Sequence, residues 1–318
     1  MKIKILSLFN FVKKRDKPLL FLWLSIIPTI NSYSQTVISL YKEIPNSKTA
    51  LNYNENADTG SNGIIWIRKV SIPEITIFQP EKSKEKNAVV IICPGGAYGA
   101  LAYNLEGTEA AKFLNSWGVV AIVLKYRLPN DAIMKDKSMG PLQDAQRALQ
   151  YVRENAQRFN INPRKIGIMG FSAGGHLASS ASVHFNKAYI DNPKNTSLRP
   201  DFSILAYPVI SFTDSLTHLG SRNNLIGKNT SEELIKKFSN ELQVTKNTPP
   251  TFLVLAGDDD IVNPENSIKY FEALLKNRVA AEMYIFQNGG HGFGTNNRTT
   301  KVNWMETLKN WMERNNFL

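Results

Sequence analysis

The 318-residue chain has a single cysteine, Cys93, and four histidines. One thiol cannot form an intramolecular disulfide, and it removes the cysteine-rich metal sites, so stability has to come from a packed core. With so few imidazoles, each is open to individual inspection. No tract of low complexity, internal repeat or acidic block is present, and 42% of the residues are hydrophobic. That composition excludes a disordered chain and is sufficient for one large domain. A massed block of one charge is also missing. The formal net charge is +11, but residues 1–34 carry six Lys or Arg against one Asp, which leaves +6 on the remainder. Those basic residues are scattered among acids such as Glu81 and Glu85, which describes a solvated surface and gives no footprint for nucleic acid.

The first 34 residues have the order of an export signal. A basic stretch ending at Lys17 precedes an apolar run from Leu19 to Ile30, and the small residues Ser32 and Ser34 follow. The apolar run is about a dozen residues, short of the roughly 20 that a spanning helix needs, and Pro28 interrupts it. Cleavage after Ser34 is expected, with the mature chain secreted or periplasmic and not inserted in a membrane. Residues 35–60 are polar and rich in Asn, Ser and Thr, and they read as a loosely ordered lead-in without chemistry.

From residue 61 to 318 the pattern is that of one α/β domain. Ile64–Val70 and Ile75–Phe78 read as edge strands. Ala88–Cys93 is continuously apolar and closes in Pro94-Gly95-Gly96, as expected of a strand buried on both faces. Helix Glu106–Trp117, strand Val119–Lys125, helix Leu142–Asn155, strand Ile166–Phe171 and helix Ala173–His184 follow. Strands Phe202–Tyr207 and Thr251–Ala256, helix Pro264–Lys276, strand Ala281–Phe286 and helix Lys301–Arg314 complete the alternation. Such alternation predicts a mostly parallel sheet with helices on both faces. It breaks only between about 211 and 247, a lid-like insertion holding one polar helix, Ser231–Leu242.

The chemistry centres on Gly170-Phe171-Ser172-Ala173-Gly174. This matches G-x-S-x-G, in which a strand turns sharply into a helix and lifts the serine hydroxyl clear of the sheet; an apolar strand precedes it and a small-residue helix follows. A serine hydroxyl needs a neighbouring base with a pKa near 6.5 to take its proton. His176 and His184 lie on the helix after the motif and read as packing residues, and His218 lies in the insertion. His291, in the glycine loop 289–294 after a late strand, is the candidate base. An acid must hold its tautomer. Asp258, Asp259 and Asp260 all follow the strand ending at Ala256; Asp259 is preferred because Val262 gives the D-x-x-V spacing common after such a strand. The expected triad is Ser172, Asp259 and His291. Donors for a tetrahedral oxyanion are expected from Ala173 N–H and from the loop Gly95-Gly96-Ala97-Tyr98, with Tyr98 a candidate lining residue of the acyl pocket.

Together with Lys125–Pro129, Asp144 and Arg147, Thr248–Phe252, Glu265–Ser267 and the loop at His291, these motifs resemble the acetyl-xylan-esterase-like and bacterial acetylesterase branch of the α/β-hydrolase superfamily. The resemblance spans nearly all of the chain after the leader. It departs at Ala97, where a third glycine is usual, and at Asn263-Pro264. Asp144 and Arg147 stand at helical spacing for a structural ion pair. The resemblance implies an α/β-hydrolase fold and an exported serine esterase. Such an enzyme takes acetyl or other short acyl groups from a small-molecule or polysaccharide ester, xylan being the expected plant polymer, without metal or organic cofactor. The same triad would serve a feruloyl-type esterase or a peptidase. A non-catalytic binding protein on this fold would show a damaged triad.

Overall fold

The computed structural model describes residues 35–81 and 86–318; the leader and its cleavage position lie outside the described residues. Among the described residues no helix is long and apolar enough to cross a membrane. The strands run in chain order as β1 (Gln35–Ser39), β2 (Asn56–Thr59), β3 (Ile65–Arg68), β4 (Glu74–Phe78), β5 (Asn87–Cys93), β6 (Leu101–Ala102), β7 (Val120–Lys125), β8 (Ile161–Phe171), β9 (Phe202–Ala206), β10 (Thr251–Ala256) and β11 (Ala281–Phe286). The helices are α1 (Glu109–Ser116), α2 (Gly140–Glu154), α3 (Ser172–Val183), α4 (Leu219–Ile226), α5 (Glu232–Lys237), α6 (Glu265–Lys276) and α7 (Trp304–Arg314).

Among the described residues, eight strands form the main sheet in the order β1-β4-β7-β5-β8-β9-β10-β11. β4 is antiparallel to both its neighbours, and from β7 to β11 every pair is parallel. This is the α/β architecture that the alternating pattern predicts. β5 shows why the sheet needs two covers. Its residues Val89, Ile91 and Cys93 enter one core, with α2, α3 and α6, while Ala88, Val90 and Ile92 enter the other, with α1 and α7. A strand that buries alternate residues in two cores has no polar face, hence the continuous apolar run.

Chain order also places the site. After β5 the chain goes to β7 on one side of it and then returns to β8 on the other. The two connections diverge there, and a crevice opens beyond the carboxyl ends of the strands, where open α/β sheets bind ligands.

Three stretches differ from the pattern. The supposed lead-in contributes β1, which pairs with β4 over five residues, and β2, which pairs with β3. Its polar composition reflects exposure, because β1 is an edge strand and β2 is exposed throughout. Ile65–Arg68 is not an edge of the main sheet but the middle of a three-stranded sheet, β2-β3-β6. In the insertion, α4 forms where no helix is expected, and the helix expected over 231–242 is two pieces. Ser239 breaks it: its hydroxyl accepts from Phe212 N–H and donates to Ile235 C=O. Asn240, next in the chain, is buried against Ser179, Ser180 and the His176 carbonyl.

A buried ion pair ties these layers together. Asp144 on α2 is paired with Arg127, not with Arg147. The Arg127 guanidinium meets both carboxylate oxygens, with Nη2 to Oδ1 at 2.7 Å and Nε to Oδ2 at 2.9 Å, and Arg127 N–H donates to Oδ2 at 2.9 Å. Arg147 donates to the Leu40 carbonyl at 2.9 Å and to Gln150. Helical spacing alone favoured Arg147, but the planar fork of Arg127 can satisfy both oxygens of a carboxylate from which water is excluded.

Candidate active site

Ser172 sits where β8 ends and α3 begins. Its φ is +52°, a left-handed conformation unusual for a residue with a Cβ, and one that the surrounding turn has to impose. The turn is this sharp only because Gly170 and Gly174, two residues to either side, carry no side chain: a Cβ on Gly174 would lie 2.0 Å from the Cys93 carbonyl oxygen.

His291 reaches this serine from the loop after β11. Its Nε2 lies 2.8 Å from Ser172 Oγ, and its Nδ1 lies 2.7 Å from Asp259 Oδ2. Asp259 is held in turn, since its Oδ1 accepts from Ile261 N–H at 3.0 Å and Val262 N–H at 2.9 Å. A carboxylate that only accepts must receive Nδ1–H from the imidazole, which leaves Nε2 unprotonated toward the serine hydroxyl. Of the other two aspartates, Asp258 accepts from Gly290 N–H at 2.8 Å and so shapes the histidine loop, while Asp260 is exposed.

The expected oxyanion donors divide. Gly95 N–H is not available, because it donates to Glu106 Oε2 at 2.7 Å. Among the described residues Gly96 N–H and Ala97 N–H donate to no protein acceptor, and Ala173 N–H lies in the first turn of α3, where helical N–H groups lack intrahelical partners. Gly96 and Ala97 have φ of +132° and +54°; a Cβ on Gly96 would meet Ala100 O at 2.2 Å. Asn224 Nδ2 on α4 donates to Ala97 O at 2.8 Å, so the insertion braces this loop. Tyr98 does not line an acyl pocket. It is 1% exposed, and its hydroxyl lies 2.9 Å from His176 Nδ1. His176 Nε2 is 2.8 Å from the Phe238 carbonyl oxygen. That carbonyl fixes the proton on Nε2, so Nδ1 accepts and Tyr98 donates. Burial lowers the His176 pKa from 6.5 to about 4, which keeps the ring neutral.

The sequence pattern places Glu106 at the start of an ordinary helix. Instead the chain makes a π-helical turn over Asn104–Thr108 before α1, and this aims the carboxylate inward, where burial raises its pKa. Besides Gly95 N–H it accepts the Tyr207 hydroxyl at 2.9 Å. Tyr207 in turn accepts Gly294 N–H at 2.9 Å and sets its ring 4.9 Å from that of His291, edge to face. His218, passed over in the insertion, lines the same cleft as Ser172 and His291. Burial, and secondarily the charge of His291, lowers its pKa. The cleft has a volume of about 580 Å³, within the roughly 300–1,000 Å³ typical of ligand sites. An activated serine beside unpaired backbone donors is the equipment for acyl transfer.

Comparison with known proteins agrees with this geometry. The model of the BD-FAE family matches residues 75–274. An acetylxylan esterase of Xylanibacter ruminicola is 36% identical over 225 residues, covering 70% of this chain and 44% of that protein. Endo-1,4-beta-xylanase B of Butyrivibrio fibrisolvens is 36% identical over 236 residues, 73% of this chain and 36% of that protein. The chain thus spans less than half the length of these two relatives. The crystal structure of an acetyl ester-xyloside bifunctional hydrolase from Caldicellulosiruptor lactoaceticus superposes with a TM-score of 0.76 at 34% identity, covering 89% of this chain and 97% of that one. With its sheet order, its serine at the end of β8 and a family match that spans more than half of its length, the chain is an α/β hydrolase and belongs to the BD-FAE family.

Proposed function

We propose that this chain is a serine carboxylic-ester hydrolase that removes acetyl or similarly short acyl groups, with acetylated plant polysaccharide such as xylan as substrate, and that it works outside the cytoplasm after loss of its leader. The observation that carries the catalytic part is the continuous proton path from Ser172 Oγ through His291 to Asp259, with contacts of 2.8 and 2.7 Å. The polysaccharide part is supported by the two relatives, named for xylan, and the leader supports export.

The steps follow from the geometry. Ser172 Oγ attacks the ester carbonyl while its proton moves to His291 Nε2, and Asp259 stabilises the resulting imidazolium. The carbonyl oxygen, now an anion, takes hydrogen bonds from Ala173 N–H and the Gly96-Ala97 loop. Collapse expels the sugar alkoxide, which receives the proton from Nε2 and leaves an acyl-serine. Water, deprotonated by the same nitrogen, attacks that ester and releases the acid, and the proton returns to Ser172.

Turnover of p-nitrophenyl acetate and release of acetate from acetylated xylan are both expected, and both are expected to vanish in Ser172→Ala. Unchanged turnover in that variant defeats the catalytic assignment; turnover of the phenyl ester with no acetate released from xylan defeats the polysaccharide assignment alone.

A further inference from the structure

One wall of the cleft is built by β3 and the residues just before it. Side chains alternate along a strand, and here Ile64, Trp66 and Arg68 all line the cleft beside Ser172, whereas Ile67 packs on the core. An apolar, an aromatic and a cationic residue therefore stand in a row two residues apart. Asn62, at the turn before them, lines the cleft as well.

This wall is fixed firmly. Trp66 and Ile67 pair with Ala102 and Leu101 of β6, the strand that directly follows the oxyanion loop. Asn104, just beyond β6, extends this pairing toward the turn: its Oδ1 accepts Ile65 N–H at 2.7 Å and its Nδ2 donates to Gly63 O at 2.9 Å. Tyr103 N–H adds a bond to Ile65 O at 2.9 Å. The Arg68 guanidinium lies 5.9 Å from the centre of the Trp66 ring, and its Nε donates to Asp58 at 3.0 Å. Asn62 Oδ1 is taken by Ile64 N–H, and its amide N–H groups donate to no protein acceptor among the described residues. Such an arrangement is rigid before anything binds, so little ordering is needed on binding.

Resting on the hydrolase reading above, we propose that Trp66, Arg68 and Asn62 form a glycosyl-binding wall that seats a pyranose ring of the alcohol portion of the ester. The chemistry selects the occupant. An indole ring flanked by a guanidinium and a carboxamide suits a ligand with an apolar face and a rim of hydroxyls, which is the character of a sugar ring. A two-carbon acyl group is too small to use a wall of this length, and an alkyl chain has nothing to offer Arg68 or Asn62. His218, which lines the same cleft, supplies another hydrogen-bonding group.

The test compares two substrates in each variant, acetylated xylotriose and p-nitrophenyl acetate. In Trp66→Ala, and in Trp66→Phe should the first variant fold poorly, the ratio of kcat/KM on the saccharide to that on the phenyl ester falls about tenfold or more. Ile65→Ala, on the other face of the same strand, leaves this ratio within about twofold of wild type. In parallel, Ser172→Ala protein binds unacetylated xylotriose by calorimetry, and adding Asn62→Ala or Trp66→Phe weakens that binding. A ratio unchanged by both Trp66 variants overturns the wall. So does a larger loss on methyl ferulate than on acetylated xylotriose, which would put an aromatic acyl group there instead. Wild-type protein inert toward every ester would overturn the hydrolase reading itself.

Discussion

Tyr207 donates its hydroxyl hydrogen bond to Glu106 and accepts Gly294 N–H on the same oxygen, so one buried pair spans the oxyanion loop and the histidine loop. The direction of these bonds is set by elimination: Gly95 N–H and Gly294 N–H can only donate, so Glu106 works as an acceptor of two bonds and Tyr207 passes its single proton on. In Glu106→Gln the amide oxygen can keep Gly95 N–H, but the NH₂ then faces the Tyr207 hydroxyl, which must accept instead of donate, so that bond is reversed and the hydroxyl proton loses its acceptor. Because slight misplacement of preorganised groups costs rate more than binding, kcat on p-nitrophenyl acetate is expected to fall about 10- to 100-fold with KM little changed. Tyr207→Phe should show a similar loss, and the double variant should be little worse than either single one, since both break one network. Multiplicative losses, or a defect confined to KM, would contradict this.

The three adjacent aspartates give a second test. In Asp259→Asn the amide oxygen stays with Ile261 N–H and Val262 N–H, and the NH₂ faces His291 Nδ1. That forces the ring proton onto Nε2, which then cannot accept from Ser172. A fall in kcat of about 10⁴-fold is expected, with little change in stability. Asp258→Asn keeps an oxygen for Gly290 N–H and should cost less than an order of magnitude, and Asp260→Asn nothing measurable. Equal losses in the three variants would remove Asp259 from its role.

How much of this could be read from the chain alone depended on how local the signal was. Ser172 and its glycines form a contiguous motif, because the strained turn needs them within five residues. His291 stood out as the histidine in a glycine loop after a late strand. Asp259 was legible through Val262, and the reason is a bond: the spacing puts Val262 N–H on the carboxylate. Glu106 was not legible, since a π-helical turn breaks the 3.6-residue period by which an inward position would be recognised. Tyr98 looked like a pocket residue by its place in the loop, but its left-handed backbone swings the ring toward His176. α4 was missed because Leu219–Ile226 has apolar residues only at its ends, and His218 N-caps it. The wall at Trp66 depends on pairing with β6, a partner more than thirty residues away, for which no local pattern exists.

Arg127 and Asp144 offer a test of stability away from the chemistry. Both are almost fully buried, with side chains 2% and 0% exposed. Asp144→Asn leaves the guanidinium without a counter-charge where water cannot reach it, and a loss of about 3–5 kcal/mol is expected in urea unfolding. The double replacement Arg127→Met with Asp144→Leu should recover part of that loss by removing both charges, although the Pro45 and Gly140 carbonyls then lose their donors. If the double variant were as unstable as Asp144→Asn, the cost would lie in packing and not in the stranded charge.

His176 sets a pH dependence of stability. Its pKa is lowered by burial from 6.5 to about 4 in the folded chain, so between those values the unfolded chain binds the extra proton and the folded one does not. Stability therefore falls as pH drops from about 6.5 to about 4 and levels off below, the whole contribution being on the order of 3 kcal/mol at 1.36 kcal/mol per pKa unit. Glu106 acts in the opposite sense: burial raises its pKa, so the folded chain takes up that proton first and gains stability as pH falls. Comparing wild type with His176→Gln cancels the Glu106 contribution. The urea midpoint of the wild type should decline more steeply with acid than that of the variant, by up to one proton's worth of slope. Charging His176 within the fold, which sets in only as pH approaches about 4, removes the acceptor for the Tyr98 hydroxyl beneath the oxyanion loop, so any loss of activity from this contact is expected there and not between about pH 6.5 and 5. Parallel midpoint curves for the two proteins would mean that the imidazole takes up its proton in the fold as readily as in the unfolded chain; Nδ1–H would then donate to the Tyr98 hydroxyl oxygen, while Nε2–H would still donate to the Phe238 carbonyl.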